Sequence, residues 1–178
     1  MKQKNSLLVS ALFMACLSSC YSDRTPQIPE TTTGFRPVYA SYESVRNVQT
    51  TAPRPLLKPG KIYIKDQYLF ICELGEGLHV IDNSNPAKPL PLSFIVIKGN
   101  QDLAVKDSTL YADNFGDLVA LNIGNPRNVK VLKRIEGAFP YLNSLPNNQR
   151  GWFECPDPAK GVIIGWQQVQ LTQPKCYR

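Results

Sequence analysis

The sequence predicts an all-β fold made of units of about forty residues. Two observations predict it. Through the middle of the chain, short runs rich in Ile, Val, Leu and aromatic residues alternate with Gly, Asn, Asp and Pro, as strands alternate with tight turns. In addition, the sequence of residues 77–86 (GLHVIDNSNP) recurs in modified form at residues 117–126 (DLVALNIGNP). The chain therefore repeats a short strand that ends in an Asn-Pro turn.

Residues 1–19 have the layout of a secretory signal. A basic start precedes an almost unbroken apolar run at residues 7–17, which is too short to span a bilayer. Residues 17–20, LSSC, resemble a bacterial lipobox, which implies cleavage before Cys20 and acylation of that cysteine. We therefore expect a lipid-anchored protein of the cell envelope, held in the outer membrane. The alternative is an ordinary signal peptide that ends close to a cysteine.

The rest of the chain is mildly basic. The 178 residues include 20 Lys and Arg against 14 Asp and Glu, and loss of Lys2 and Lys4 with the signal leaves 18 against 14. The remaining basic residues are scattered, with no run that would follow a phosphate backbone. A hydrophobic content of 43% suits a globular domain with its own core. We expect no nucleic-acid partner.

Residues 20–60 are predicted to be a tether between the lipid and a β-repeat domain at residues 61–178. Frequent prolines and threonines argue against long helices or strands there. Apolar side chains recur every three residues at Tyr39, Tyr42, Val45 and Val48, which favours one short amphipathic helix docked on the domain. An extended segment with exposed aromatic residues is the alternative.

Each repeat unit is predicted to contain four short strands. The two units align at an offset of 41 residues, so that residues 62–65 (IYIK) match residues 103–106 (LAVK). The expected strands are residues 61–65, 68–73, 78–81 and 93–97 in the first unit, and 103–106, 109–113, 118–122 and 129–135 in the second. Tight turns are expected at Asp66 and Asp107, because aspartate tolerates a positive φ. Asp82 and Asn122 are expected to cap strand ends.

A degenerate third copy is expected after residue 150, with residues 152–155 laid over 110–113 and residues 161–164 over 77–80. Units of this length with four strands have the spacing of a β-propeller blade, but a closed propeller needs about four to eight blades. An open stack or a stack closed by a cap is therefore preferred, and completion of a ring by several chains is the other solution.

The strand and turn at residues 78–86 (LHVIDNSNP) resemble the LVIVD repeat of β-propeller-like bacterial and archaeal surface proteins. Together with the lipobox, the chain is similar to Bacteroidetes lipoproteins that carry this repeat. The resemblance covers about residues 57–136 and implies a β-rich envelope lipoprotein of uncharacterised function. The second copy departs from the pattern with Asn122 in place of the aspartate and with a small Ala120.

Three cysteines follow the lipobox. Cys155 and Cys176 could pair in an oxidising envelope, and a loop of this length would contribute about 3 kcal/mol to stability. The sequence leaves open whether they do. Cys72 lies in an apolar strand and is expected to be a buried thiol. No Cys-x-x-Cys spacing is present, so neither a zinc site nor a redox pair is predicted.

Side chains that could carry chemistry are few. His79 is the one histidine, and its counterpart in the second unit is Val119, so a catalytic role is not favoured. The oxygen-rich turn at residues 82–85 lacks the further ligands of a calcium loop, and no metal or cofactor is expected. Aromatic residues could form one binding rim, or could simply be core: Tyr111, Phe115, Tyr141, Trp152 and Trp166.

The expected function is a non-enzymatic interaction module that contacts protein or glycan at the envelope. A structural or accessory subunit of a surface complex is the second hypothesis. The third is an envelope glycan hydrolase, which requires two carboxylates about 5 to 10 Å apart. Asp82, Asp113 and Glu154 are the carboxylates whose positions test that idea.

Overall fold

The computed structural model describes residues 26–139, 146 and 150–178. The predicted all-β class is confirmed, since 53% of the structure is strand and 6% is helix. The strands form three sheets, and none of them closes on itself. The strands are β1 (Thr31–Ala40), β2 (Gln49–Thr51), β3 (Pro59–Lys65), β4 (Tyr68–Glu73), β5 (Gly77–Asp82), β6 (Leu90–Val96), β7 (Leu103–Lys106), β8 (Thr109–Asn114), β9 (Asp117–Asn122), β10 (Lys130–Ile135), β11 (Trp152–Phe153), β12 (Val162–Thr172) and β13 (Cys176–Tyr177).

The second sheet is an antiparallel meander, and the first is an antiparallel meander of β3 to β6 with β2 added beside β6. The first sheet has the strand order β2-β6-β5-β4-β3, and the second has the order β10-β9-β8-β7. Their turns match. Asp66 and Asp107 have φ values of 52° and 53°, as expected for aspartate in a tight connection. The Asp82 Oδ1 atom accepts the Ser84 N–H at 2.9 Å, and the Asn122 Oδ1 atom accepts the Gly124 N–H at 2.8 Å, so the predicted strand-end caps are confirmed.

The main core lies between these two sheets. Its fully buried side chains come from both meanders and include Phe70, Leu78, Val80, Ile95, Leu110, Val119 and Leu121. Two side chains also bridge the sheets by hydrogen bonds. The Tyr63 hydroxyl donates to the Val105 carbonyl at 3.0 Å, and the Ser93 hydroxyl donates to the Pro126 carbonyl at 2.6 Å. Apolar burial therefore holds the sheets face to face, and the hydrogen bonds set their alignment.

The third sheet joins the two ends of the described chain, in the order β12-β1-β11-β13. Strand β1 pairs antiparallel with β12 from Thr31–Thr172 to Ala40–Val162, and it meets β11 in parallel at Phe35. Pro37 has no N–H group to donate, but it can lie inside β1 because its backbone faces β11 rather than β12. Strand β11 pairs with β1 only at Phe35, so no hydrogen bond of the sheet is lost at Pro37. The third sheet is thus built from segments that lie near opposite ends of the described sequence.

Two predictions were wrong here. Residues 31–51 are not a tether, because β1 and β2 are hydrogen-bonded members of the third and first sheets. The third copy of the meander is also not formed as expected. Its two segments, β11 and β12, would be neighbours in a meander, but β1 lies between them. Both errors have one cause, which is that β1 supplies a pairing edge that the local sequence does not reveal.

The predicted short helix is present as α1 (Tyr42–Arg46). Ser41 caps it, since the Ser41 hydroxyl accepts the Ser44 N–H at 3.2 Å, and Val45 is its buried residue. Within the described residues, no helix is long and apolar enough to cross a membrane. The predicted signal at residues 1–19 and the predicted acylation site Cys20 lie outside the described residues.

Cys155 and Cys176 form a disulfide bond, with their Cα atoms 5.4 Å apart. The bond fastens the chain end to the segment that follows β11, where Phe153 already pairs with Cys176 across the strands. Cys72 is fully buried and unpaired in the first sheet. Burial, followed by the charges of Asp113 and Asp102, raises the pKa of the Cys72 thiol to about 11.

Candidate functional site

A cleft of about 610 Å³ lies between the second and third sheets, with α1 along one side. The hairpin that joins β8 to β9 forms one wall, together with the segment after β10. The segment before β12 forms the opposite wall and contains a short 3-10 turn, Pro158–Lys160. The side chains that line the cleft and are used below are Tyr39, Tyr42, Arg46, Phe115, Asp117 and Phe139.

Phe115 forms the apolar part of the first wall, at the tip of the β8–β9 hairpin. It has a φ of 54°, and its ring packs against Gly99. A Cβ atom at Gly99 would lie 2.6 Å from the Phe115 ring, and Gly99 itself has a φ of 75°. Glycine is therefore required at position 99 for two reasons: its positive φ, and the space that the Phe115 ring occupies.

The floor of the cleft is a buried ion cluster. Asp117 is 7% exposed, and its Oδ2 atom lies 2.8 Å from Arg46 Nε and 2.9 Å from Arg134 Nη1. The other oxygen, Oδ1, accepts the Gly137 N–H at 3.0 Å. Arg46 also reaches Glu136 at 3.1 Å near the surface. Two guanidinium groups and two carboxylates thus balance in charge, and the floor is rigid rather than strongly charged.

Asn114 connects this cluster to α1. Its side-chain amide donates to the carbonyl oxygens of Val45 at 3.0 Å and Lys98 at 2.6 Å, and its Oδ1 atom accepts from Arg134 at 2.7 Å. Arg134 in turn donates to the Arg46 carbonyl at 3.0 Å. The carbonyl groups at the end of the helix are therefore satisfied by side chains of the second sheet, which fixes where the helix sits.

Two tyrosines hold the opposite wall. The Tyr39 hydroxyl accepts the Asp157 N–H at 2.8 Å, and the Tyr42 hydroxyl donates to the Pro158 carbonyl at 3.4 Å. The Arg46 guanidinium lies 4.6 Å from the centre of the Tyr42 ring, within the range of a cation–π contact. Tyr42 is still 40% exposed, so part of its ring faces the cleft and solvent. Both tyrosine rings are thus held in place by hydrogen bonds to the segment before β12.

The arrangement can bind a ligand by stacking and by hydrogen bonds. Exposed aromatic surface comes from Tyr42 and from Phe139, which is 37% exposed. Polar groups at the edge come from Glu136 and Arg46. Such a mixture of apolar surface and a few polar groups is typical of recognition sites for sugars and peptides. In the described part of the chain, no three His, Cys, Asp or Glu side chains are grouped to hold a metal ion.

The aromatic residues proposed from the sequence do not meet at one rim. Phe115 lines the cleft, but Tyr111 lies on the outer face of the second sheet and is 37% exposed. Trp152 packs on Tyr177 with ring centres 5.0 Å apart, and Trp166 packs on Phe153 at 5.7 Å, so both belong to the third sheet. Tyr141 lies outside the described residues.

Sequence reasoning missed most of the residues that line the cleft. Tyr39 and Tyr42 had a visible signal, namely their spacing with Val45, but were assigned to a tether. Arg46 and Asp117 had no signal, because an ion pair between positions this far apart depends on the packing of α1 on the second sheet. The Asp-Leu start of β9 resembles many strand starts.

A second buried polar pair joins Glu73 and His79, whose Oε2 and Nε2 atoms are 3.0 Å apart. Sequence analysis supplied no partner for His79. Glu73 also accepts the N–H groups of Leu57 at 3.0 Å and of Lys58. Burial alone would raise the pKa of Glu73, but the hydrogen bonds from Leu57, His79 and Lys58 outweigh it and hold the pKa below its usual value. The pair anchors the segment before β3 on the first sheet.

The three carboxylates singled out for a hydrolase have separate partners. Asp113 is 6% exposed and accepts the N–H groups of Gln101 and Asp102 at 2.9 Å each. Asp82 accepts from Ser84 in a turn, and Glu154 pairs with Arg36 at 2.8 Å in the third sheet. Among the hydrogen bonds and ion pairs of the described residues, none joins two of these carboxylates or a common partner.

Comparison of the chain with protein-family models, with curated proteins and with solved structures finds no match.

Proposed function

We propose that this protein is a lipid-anchored envelope lipoprotein that acts as a non-enzymatic interaction module, binding a protein or a glycan in the cleft between its second and third sheets. The observation that carries the proposal is the cleft itself. It combines exposed rings at Tyr42 and Phe139 with a floor that is locked by the Arg46–Asp117 ion pair. A rigid aromatic site binds with little loss of side-chain freedom.

The fold supports this role as a scaffold. We interpret the two meanders as blade-like repeats of the LVIVD kind, on the basis of their shared strand order and their matching turns at Asp66 and Asp107. Blades that pack face to face leave their connecting loops at the ends of the sheets. The β8–β9 hairpin, which carries Phe115 into the cleft, is one such loop. Recognition residues on loops of a rigid β scaffold are a common arrangement.

The experiment for the binding role is photo-crosslinking in the native envelope. A photo-reactive phenylalanine analogue replaces Tyr42 in the cleft, and the matched control carries it at Tyr177, which is exposed to a similar extent, 42% against 40%. We expect adducts from position 42 that position 177 does not give, identified by mass spectrometry as protein or envelope glycan. Equal adducts from both positions, or none from either, would contradict the proposal.

The anchor is tested separately. The lipobox-like LSSC ending at Cys20 predicts that Cys20→Ala abolishes labelling with palmitate and releases the protein from the membrane fraction. Cys72→Ala is the control, because its thiol is buried in the first sheet. Unchanged membrane partition of the Cys20 variant would refute the anchor and leave the cleft proposal standing.

A second function, that of a subunit in a surface complex, is favoured by one observation. The edge strand β3 exposes two large apolar side chains on one face, Ile62 at 61% and Ile64 at 67%. Apolar residues that recur on one face of an exposed strand are typical of an interaction surface.

A further inference from the structure

Strand β12 forms one edge of the third sheet and, with 11 residues, is the longest strand described. The strand order β12-β1-β11-β13 places β1 on one side of β12 and no described strand on the other side. Pro146, which lies between β10 and β11 in the sequence, belongs near the far edge, since its carbonyl accepts from Arg178 at 3.1 Å just after β13. Within the described residues, β12 therefore has an open backbone edge.

Strand pairing shows which backbone groups face this open edge. Phe35 in β1 turns its backbone groups towards β11, because the Phe35 carbonyl accepts the Glu154 N–H at 2.8 Å. Directly opposed residues of an antiparallel pair either bond to each other or both face away. Gln168 opposes Phe35, so the N–H and C=O groups of Gln168 face outward. The pattern alternates along the strand, and the outward-facing residues are Trp166, Gln168, Gln170 and Thr172.

This edge lacks the features that usually prevent pairing with another strand. Charged side chains, prolines, bulges and short length normally protect an exposed edge. The sequence of β12, VIIGWQQVQLT, contains no charged residue and no proline. Its pairing with β1 is irregular only before Gly165, so the stretch from Gly165 to Thr172 is regular. Gln168, Gln170 and Thr172 are exposed. The outward-facing stretch is thus uncharged, regular and accessible.

The other five sheet edges in the described structure are each protected. Strands β2, β7 and β13 are edges of only three, four and two residues. Strand β3 carries Pro59 and two lysines, and β10 carries two lysines, an arginine and a register shift. Strand β12 is therefore the one described edge that is both long and uncharged.

We propose that a second copy of this chain pairs with β12, so that the third sheets of two copies join into one antiparallel sheet about a two-fold axis. Such a contact uses the same surface on both copies. An uncharged strand meets its own copy without opposing like charges, which would destabilise the pair. It also offers no counter-charge to a charged strand of another protein. The composition of β12 therefore favours a second copy as the partner.

The outward-facing groups also select the register. With Val169 opposite its counterpart, Trp166 opposes Thr172 and Gln168 opposes Gln170, so every outward-facing residue is paired. Each of these pairs exchanges two hydrogen bonds. The next register in one direction places Trp166 opposite Pro174, which has no N–H group. The next register in the other direction places Thr172 opposite the irregular start of β12. The register centred on Val169 thus satisfies the most backbone groups.

Disulfide cross-linking of one variant with itself tests this register. Val169 would face its counterpart in a pair without hydrogen bonds, where the Cα atoms are about 4.5 Å apart and a disulfide can form. We expect full-length Val169→Cys to give a covalent dimer when cells are oxidised, and reductant to reverse it. Gln167→Cys is the matched control, since it lies on the same face but would be more than about 13 Å from its counterpart at about 3.3 Å per residue.

Two results of this experiment would overturn the proposal. One is a covalent dimer of Val169→Cys that is no more abundant than that of Gln167→Cys. The other is a Val169→Cys adduct, identified by mass spectrometry, that contains a different protein in place of a second copy. The wild type, with its natural cysteines alone, gives the background.

A second experiment measures association itself. The full chain is extracted in mild detergent and analysed by sedimentation velocity. Gln168→Pro removes an N–H group that faces outward, so the pairing of β12 with β1 is retained, as Pro37 shows on the other side of β1. We expect the wild type to sediment as a dimer and Gln168→Pro to lose the dimer. Gln168→Ala keeps the backbone N–H group and is expected to retain it. A wild type that is monomeric at every concentration, or a dimer that survives Gln168→Pro, would refute the interface.

This interface and the cleft can fail independently. Val162 and Ile163 at the start of β12 line the cleft, but residues 166–172 do not. Gln168→Pro is therefore expected to lose self-association and to retain the adducts formed from a photo-reactive group at position 42. Loss of folding would show as a changed far-ultraviolet spectrum, and in that case the cross-link of Val169→Cys decides.

Discussion

The Nε atom of Arg46 lies 2.8 Å from the Oδ2 atom of Asp117, and this contact fastens α1 to the second sheet. Asp117 stands at the start of β9, and Arg134 on β10 shares the same oxygen at 2.9 Å. Because the carboxylate is nearly buried, its removal would leave Arg134 without its carboxylate partner and Arg46 with only the exposed Glu136. The floor of the cleft depends on this one aspartate.

We predict that Asp117→Ala lowers the free energy of unfolding by about 3 kcal/mol, as expected when one partner of a buried ion pair is removed. The measurement is urea unfolding followed by fluorescence. Glu136→Ala is the matched control, since Glu136 contacts Arg46 but its side chain is 67% exposed, and we expect a change below about 1 kcal/mol. Similar costs for both variants would show that the cluster is not the element that holds α1.

Gly99→Ala is predicted to cost roughly 2 kcal/mol and to displace Phe115, because the new Cβ meets the ring and the backbone has a positive φ. Gly137→Ala separates the two effects, since Gly137 has a φ of 63° but nothing within 4 Å of the added Cβ. We expect the Gly99 variant alone to lose adducts from the cleft. If both variants bind and unfold alike, the ring contact has no role in the site.

Stability at low pH is predicted to depend on Glu73. Its pKa is lower in the fold than in the unfolded chain, so its contribution is complete above the ordinary carboxyl pKa of about 4.3 and is lost as pH falls through the lower folded value. Glu73→Gln should lower stability at pH 7 and flatten the decline below about pH 4. The measurement is thermal unfolding of both proteins between about pH 2 and pH 7. The exposed Glu43→Gln control should keep the wild-type slope, and an equal change in both variants would contradict the assignment.

Removal of the disulfide bond is predicted to destabilise the third sheet. The bond spans 21 positions, and closure of a loop of this size contributes about 3 kcal/mol. The variant that combines Cys155→Ala with Cys176→Ala should unfold at a lower temperature. On a gel, reductant should shift the wild type and leave this variant unchanged. A wild type that migrates identically with and without reductant would show that the bond is absent in the protein.

The strands of the two meanders could be predicted from the sequence because their evidence is local. The turn at Asp66 is bounded by apolar runs on both sides, and the same pattern at Asp107 reinforces it. The pairing of β1 with β12 could not be predicted in this way. Thr31 and Thr172 are partners across almost the whole chain, and a proline-containing segment shows no sign of a strand until its partner is known.

The candidate site was predictable in part for the same reason. Phe115 was found because it lies in the hairpin of a recognisable unit, whereas Tyr39 and Tyr42 were placed in a tether. The partner of His79 is Glu73, two positions away from its directly paired residue along β4, and only the hairpin register brings them together. Contacts that depend on register or on distant packing need a structure.

The pairing of β1 with β12 has a consequence for biogenesis. During synthesis, residues 31–40 leave the ribosome long before residues 162–172, so the first strand to emerge must wait for almost the last. The two meanders, whose contacts are local, can fold in the meantime, and the late pairing raises the contact order of the third sheet alone. An arrested or truncated chain would therefore expose β1 as a free edge, which gives proteases a direct mark of an unfinished molecule.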